Sequence, residues 1–154
     1  MADPFHLQRF VDAQNRGGTY EAAAAELRAG RKRSHWMWFV FPQLRGLGRT
    51  AMAHQYGIGS REEAIAYLAH DVLGPRLHQC AQLVTQSGAA TAETLLGGVD
   101  ALKLRSSMTL FAEVADGASE AKGGRLDGRD FVAVLDAYYA GERDPLTLQL
   151  LGPS

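Results

Sequence analysis

Signals for helix starts and ends recur along this chain, and they constrain its fold more than any other feature. Asp3-Pro4, Ser60 with Glu63 three residues later, and Asp144-Pro145 are each typical of a helix N-terminus. A short polar side chain there accepts a hydrogen bond from a free amide, and proline suits the first turn. Gly30 follows an alanine-rich segment, where glycine commonly ends a helix. Strand signals are almost absent, so the sequence predicts an all-α fold.

Capping signals and apolar periodicity together place the predicted helices. They run from Asp3 to before Gly17, from Thr19 as cap to Ala29, Ser60 to about Ala69, Gly74 to about Val84, Thr91 to Gly97, Asp100 to about Ala115, Asp127 to about Tyr138 and Asp144 to Leu151. The glycine-rich residues 117–125 predict a surface loop. A chain of 154 residues suits one hydrophobic core. We therefore expect a single compact multihelical domain of about seven to nine short helices over residues 1–154.

Charge and cysteine content narrow the classes of function. The formal net charge is −1, although residues 1–49 hold eight Lys or Arg against four Asp or Glu, a local balance of +4. Nucleic acid is therefore a disfavoured partner, and a positive electrostatic field is expected only near residues 1–49.

The sequence has no apolar stretch long enough to span a membrane and no signal-peptide pattern at its start, so we expect a cytoplasmic protein. Cys80 is the single cysteine and no histidine spacing suits metal ligation, so we expect neither a metal nor a cofactor.

Residues 31–43 concentrate the side chains that are most able to bind a ligand. Both tryptophans, Trp36 and Trp38, lie in a short apolar block directly after a basic run. This block could wall a pocket that stacks a planar anionic ligand, or it could be core. As a buried strand it would lack a partner, so we favour a short buried helix capped by Ser34 and ended by Pro42. A helix would point the two indoles about 200° apart, so at most one should line a site.

The polar residues beside the tryptophans are candidates to bind the charged part of a ligand or to transfer a proton. Arg31 and Arg33 could pair with phosphates, although a basic run after a helix is commonly a solvated surface. His35 could donate or accept a proton, or simply bond a backbone carbonyl. Gln43 adds a polar group to the same region.

The helix predicted from Asp100 carries two polar side chains on its apolar face. Lys103 and Ser107 lie one turn apart among leucine, methionine and phenylalanine positions. Buried ammonium and hydroxyl groups are costly unless they have partners or line a cavity. Both are therefore candidates to face a ligand pocket, although Lys103 could instead extend past the helix end to water. Arg105, on the other side of the helix, is a further candidate ligand-binding residue.

Several blocks of the chain resemble the bacterial "domain of unknown function 1810" family. They are Asp3-Pro4-Phe5, residues 7–14, Gly30 to Leu44 with the tryptophan-rich block, residues 73–77, and Lys103-Leu104-Arg105-Ser106-Ser107-Met108-Thr109-Leu110-Phe111. The resemblance covers nearly the whole chain and implies a compact, mostly helical cytoplasmic domain with no established activity. Some members carry the label calpastatin, but this chain shows nothing of that disordered protease inhibitor.

A more distant similarity leads to the functional hypothesis. Asp100, Lys103, Met108 and Phe111 resemble a helix of the NADAR family, which is associated with ADP-ribose derivatives, although Val99 stands where that family has tryptophan. We therefore expect a site for a nucleotide-like anionic ligand, with hydrolysis of an ADP-ribose type linkage as its candidate reaction. Trp36 or Trp38 would stack the base, Lys103 would oppose negative charge, and His35 would handle a proton.

The alternative is a non-catalytic helical adaptor that binds a protein partner. It predicts packed tryptophans and no polar cavity between residues 31–43 and 103–107.

Overall fold

A computed structural model describes residues 3–121 and 126–152, with side chains described for all of these except residues 117–121. The helices are α1 (Gln8–Asn15), α2 (Thr19–Arg28), α3 (Met37–Val40), α4 (Ala51–Tyr56), α5 (Arg61–Ala69), α6 (Leu73–Gln86), α7 (Ala92–Leu96), α8 (Gly98–Ala121), α9 (Arg129–Tyr138) and α10 (Pro145–Leu151), with one 3-10 turn at Arg16–Gly18. No strand occurs in the part of the chain that the structure describes, and the all-α prediction is confirmed.

The core forms around α8, the longest helix. It contacts α5, α7, α9 and α10, while α6 packs against α2, α5 and α9. Leu104, Met108, Leu110 and Phe111 are all fully buried. Ser107, Thr109 and Ala112, on the other sides of α8, are also fully buried, as expected for a helix that is surrounded by other helices.

Local capping signals correctly identified several helix starts. The side chains of Ser60, Thr91 and Asp144 each accept a hydrogen bond from the backbone amide three residues later. The Asp3 carboxylate accepts the amides of Leu7 and Gln8, but α1 begins at Gln8 with Leu7 as its N-cap, later than the start predicted at Asp3-Pro4. Each of these bonds satisfies an amide that the helix itself leaves free.

Three further local predictions need correction. The cap of α3 is Trp36, because the Ser34 hydroxyl donates to Glu26 instead. Thr19 is the first residue of α2, and its hydroxyl donates to the Arg16 carbonyl rather than capping the helix. Helix α8 continues to Ala121, into the segment predicted as a loop from residue 117 to 125; residues 122–125 lie outside the described part.

The segment that joins α3 to α4 is held by backbone pairing. A single parallel bridge joins Leu44 to Ile58. The Arg45 amide donates to the Ile58 carbonyl at 2.8 Å, and the Ile58 amide donates to the Gln43 carbonyl at 2.9 Å. These bonds fix residues 43–45 beside the end of α4. The side chains of Gln43 and Arg45 therefore project from a constrained backbone.

Candidate functional site

A half-open cavity of about 350 Å³ lies between the α3–α4 region, the start of α8 and the start of α10. Polar and apolar side chains from three separate parts of the sequence line it. They are Trp38, Gln43, Leu47, Gly48, Val99, Leu102, Lys103, Arg105, Ser106, Asp144 and Leu146. The cavity thus lies between the tryptophan block and the first turns of α8.

The Lys103 ammonium lies over the face of Trp38, with Nζ 3.8 Å from the ring centroid. It also lies 3.3 Å from the Asp100 carboxylate, and only 19% of its side chain is exposed. An ammonium at this distance from an indole face is attracted by the ring quadrupole. Lys103 therefore lies against the cavity wall and does not extend into bulk solvent.

Asp100 connects Lys103 to a second lysine. Lys32 Nζ lies 3.0 Å from the other Asp100 oxygen, and it lies 5.4 Å from the Trp36 ring centroid. The side chains of Lys32 and Asp100 are only 12% and 16% exposed. Two ammonium groups thus share one carboxylate, and each approaches a different indole. Neither Lys32 nor Asp100 was among the residues predicted to bind the ligand, although the spacing of Asp100 and Lys103 permits their pairing on a helix.

Glu26 of α2 holds the basic segment in place. Its carboxylate accepts hydrogen bonds from the Arg33 amide, the Ser34 amide and hydroxyl, and the Trp36 indole N–H, at 2.5 to 2.9 Å. Burial acts to raise the pKa of this carboxyl, but the hydrogen bonds outweigh burial and lower the pKa to about 2. The Lys32 amide, directly before these contacts in the sequence, donates to the Leu95 carbonyl at 2.7 Å.

The far wall of the cavity is organised by Asp144. One of its carboxylate oxygens accepts from the hydroxyls of Ser106 and Thr147 and from the Thr147 amide. Arg105 donates two of its N–H groups to the carbonyls of Glu142 and Arg143. Its Nη2 also lies 3.9 Å from the exposed Glu142 carboxylate. Since a guanidinium has five N–H groups, three remain without a hydrogen-bond acceptor among the described residues. Arg105 therefore retains donors for a ligand.

Gln43 is the most unusual polar residue of the cavity. The residue is only 9% exposed, yet its side-chain amide has no hydrogen-bond partner among residues 3–121 and 126–152. A Cβ built at Gly48 would lie 3.9 Å from Gln43 Nε2 and 3.9 Å from Trp38. Solvent reaches the amide through the cavity, because Ser107 Oγ is the one fully buried side-chain N or O atom that lacks a partner in the described residues. The Gln43 amide is therefore available to a molecule in the cavity.

The predicted site residues fall into three groups. Trp38, Gln43, Lys103 and Arg105 line the cavity. Trp36 is buried with 1% exposure and Ser107 with none, so neither is accessible to a ligand in this conformation. Ser107 Oγ has no hydrogen-bond partner in the described structure. The remaining candidates, Arg31, Arg33 and His35, are exposed and do not line the cavity.

Apolar residues form the outer rim of the cavity. Val99 is 69% exposed, Leu102 is 67% exposed and Leu146 is 49% exposed. Exposed apolar residues that cluster beside polar groups often mark a binding surface. The rim would suit the uncharged part of a ligand.

The described residues contain neither a cluster of metal-binding side chains nor a helix that could span a membrane. In residues 3–121 and 126–152, no group of three or more His, Cys, Asp or Glu side chains is suitably placed to hold a metal ion. None of the helices in these ranges has the length and apolar character needed to cross a bilayer.

Fold and site together define a compact all-α protein with a cationic and aromatic cavity beside its longest helix. Residues 4–151 match the sequence family described as "Protein of unknown function (DUF1810)", and the chain belongs to this family. The chain is also similar to a solved structure, the crystal structure of the conserved hypothetical protein Rv1873 from Mycobacterium tuberculosis at 1.38 Å. The two are 53% identical with a TM-score of 0.88, over 99% of this chain and 100% of that one. No curated protein matches. The similarity to the NADAR family stays a prediction.

Proposed function

We propose that the cavity between α3 and α8 binds a small anionic ligand of the nucleotide class. The observation that carries this proposal is the Gln43 amide, which has no hydrogen-bond partner among the described residues and shares one cavity with Trp38 and Lys103. An amide without a partner supplies directed hydrogen bonds, the indole supplies an aromatic surface, and the ammonium supplies positive charge.

The charge of the lining also favours an anion. Among the lining residues, Lys103 and Arg105 contribute two positive charges, and Asp144 contributes one negative charge that is engaged at the N-terminus of α10. Two carboxylates outside the lining, Asp100 and Glu142, lie 3.3 Å from Lys103 and 3.9 Å from Arg105. Three N–H groups of Arg105 have no acceptor among the described residues, which suits a phosphate or carboxylate. The rim residues Val99 and Leu102 would contact the uncharged part of the ligand.

Binding, and not hydrolysis, is the function that this geometry supports. His35, the residue expected to handle a proton, does not line the cavity. The adaptor alternative expects no polar cavity between the tryptophan block and residues 103–107, and the cavity at Gln43 and Lys103 therefore counts against it.

Thermal unfolding of the purified protein with ADP-ribose, NAD, AMP and ribose 5-phosphate tests the proposal. A ligand at ten times its Kd should stabilise the fold by about 1.4 kcal/mol, which raises Tm by roughly 3 to 6 °C for a domain of this size. Gln43→Leu and Lys103→Met should each remove most of the shift. The triple variant Arg31→Ala, Arg33→Ala, His35→Ala is the matched control, and it should keep the shift.

Two results would reject the proposal. One is the absence of any shift across the panel with correctly folded protein. The other is a shift that survives both cavity variants but disappears in the triple control, because that pattern would place the ligand on the exposed basic run instead.

A further inference from the structure

A second cavity, of about 510 Å³, opens between the turn before α1 and the end of α4. Its lining is rich in basic side chains and does not overlap with the first cavity. The lining residues are Pro4, Phe5, His6, Arg9, Arg45, His54, Gln55 and Glu63.

Arg9 is the structural centre of this cavity. All five of its N–H groups donate to acceptors of the protein itself. The acceptors are the carbonyls of Phe5, His6, Gln55 and Gly57 and the carboxylate of Glu63. The other Glu63 oxygen accepts the Gly59 amide at 2.9 Å. The one carboxylate of the lining is therefore already paired and bonded.

Arg45 differs from Arg9 because most of its donors are free. Its Nε donates to the His54 carbonyl and its Nη2 donates to the Gly57 carbonyl. Three N–H groups are left without an acceptor in the described structure. These two bonds hold the guanidinium at the cavity, since they fix it to the end of α4.

Two imidazoles complete the lining. The side chains of His6 and His54 are exposed, and neither forms a hydrogen bond with another described residue. His6 also has a φ of +52°, which costs a non-glycine residue free energy. Its amide donates to the Asp3 carbonyl and its carbonyl accepts from Arg9, so the surrounding bonds maintain this conformation.

We propose that the cavity at His6, Arg45 and His54 binds a phosphate-type oxyanion. The free guanidinium N–H groups and the two imidazoles offer several donors to a tetrahedral anion. With neutral imidazoles, Arg9, Arg45 and Glu63 give the lining a net charge of +1. The Asp3 carboxylate, which lies outside the lining, is engaged by the amides of Leu7 and Gln8.

Histidine side-chain NMR tests this site directly, because only two of the five histidines line the cavity. Inorganic phosphate, titrated at constant pH and ionic strength, should shift the imidazole signals of His6 and His54 and leave those of His35, His70 and His78 unchanged. A parallel titration with phenyl phosphate separates two sources of the anion. A response to both indicates a general phosphate site, and a response to phenyl phosphate alone indicates a phosphorylated small molecule.

Matched variants complete the test. Arg45→Gln should weaken phosphate binding about tenfold or more, while Arg49→Gln, an exposed arginine on the same segment outside the lining, should not. His6→Asn should also weaken binding, and it preserves the fold because asparagine tolerates positive φ. Lys103→Met should leave phosphate binding intact, which separates this site from the first cavity.

Either of two outcomes overturns the proposal. Uniform small shifts of all five histidines would indicate a non-specific salt effect. Equal loss of binding in the Arg45 and Arg49 variants would show that overall charge, and not this cavity, attracts the anion.

Discussion

Replacing Glu26 with glutamine should remove a charge that stabilises the basic segment while it keeps the shape of the side chain. The carboxylate accepts four hydrogen bonds, and its pKa is lowered from 4.5 to about 2. A shift of this size corresponds to about 3 kcal/mol of stability, at 1.36 kcal/mol for each pKa unit. Because the carboxylate is partly exposed to solvent, we expect about 2 kcal/mol.

The sign of the pH dependence follows from the lowered pKa of Glu26. A carboxyl with a lower pKa in the folded state stabilises the fold above the pKa of the unfolded state, near 4.5. That stabilisation is lost as the pH falls from 4.5 towards 2. The difference in unfolding free energy between wild type and Glu26→Gln should therefore be largest at pH 7 and fall to less than about half by pH 3.

Urea denaturation at pH 7, 5, 4 and 3, followed by circular dichroism, measures this difference. Glu21→Gln is the matched control, since Glu21 is exposed on the same helix and its carboxylate accepts no hydrogen bond from a described residue. NMR of the indole N–H of Trp36 provides a local readout, because that group donates to Glu26 at 2.9 Å. If wild type and Glu26→Gln lose stability in parallel between pH 7 and pH 3, the Glu26 carboxylate does not contribute the predicted pH-dependent stability.

The remaining predictions concern the core. Alanine at Gly74 would place its Cβ 2.2 Å from the Leu68 carbonyl oxygen. We expect Gly74→Ala to lower the free energy of unfolding by about 2 kcal/mol or more. Gly98→Ala, whose Cβ meets nothing within 4 Å, should be neutral or stabilising. Equal effects of the two variants in urea denaturation would contradict this prediction. Burial raises the pKa of the Cys80 thiol to about 12. Iodoacetamide at pH 8 should therefore label Cys80 only in denaturant, and rapid labelling of native protein would disprove its burial.

Local hydrogen bonds explain why much of the helical fold was predictable. Ser60 and Thr91 bond amides three residues further along, so cap and acceptor are visible in one short stretch of sequence. Helix α4 was missed because its six residues are too few to show an apolar period. Ser34 was misassigned because its hydroxyl donates to Glu26, eight residues away on another helix.

The site was predictable only where its contacts are local. The apolar face of α8 singled out Lys103, and Asp100 lies three residues before it on the same helix. The pairing of Lys32 with Asp100 joins residues 68 positions apart and depends on how the segment after α2 packs against α7 and α8. No pattern in the sequence indicates that the Gln43 amide lacks a partner, because that depends on every neighbour in the folded chain.

The charges around Asp100 explain why an anion would be accepted at the first cavity. One carboxylate faces two ammonium groups, so Lys32, Asp100 and Lys103 together carry a net charge of +1 in a region where each side chain is less than 20% exposed. A purely structural ion pair would need only one of the two lysines. The cost of removing Lys103 from water is incurred when the protein folds, with Trp38 and Asp100 offsetting part of it. The proposed ligand would therefore meet a cation that is already positioned and partly desolvated, which favours binding without further ordering of the side chain.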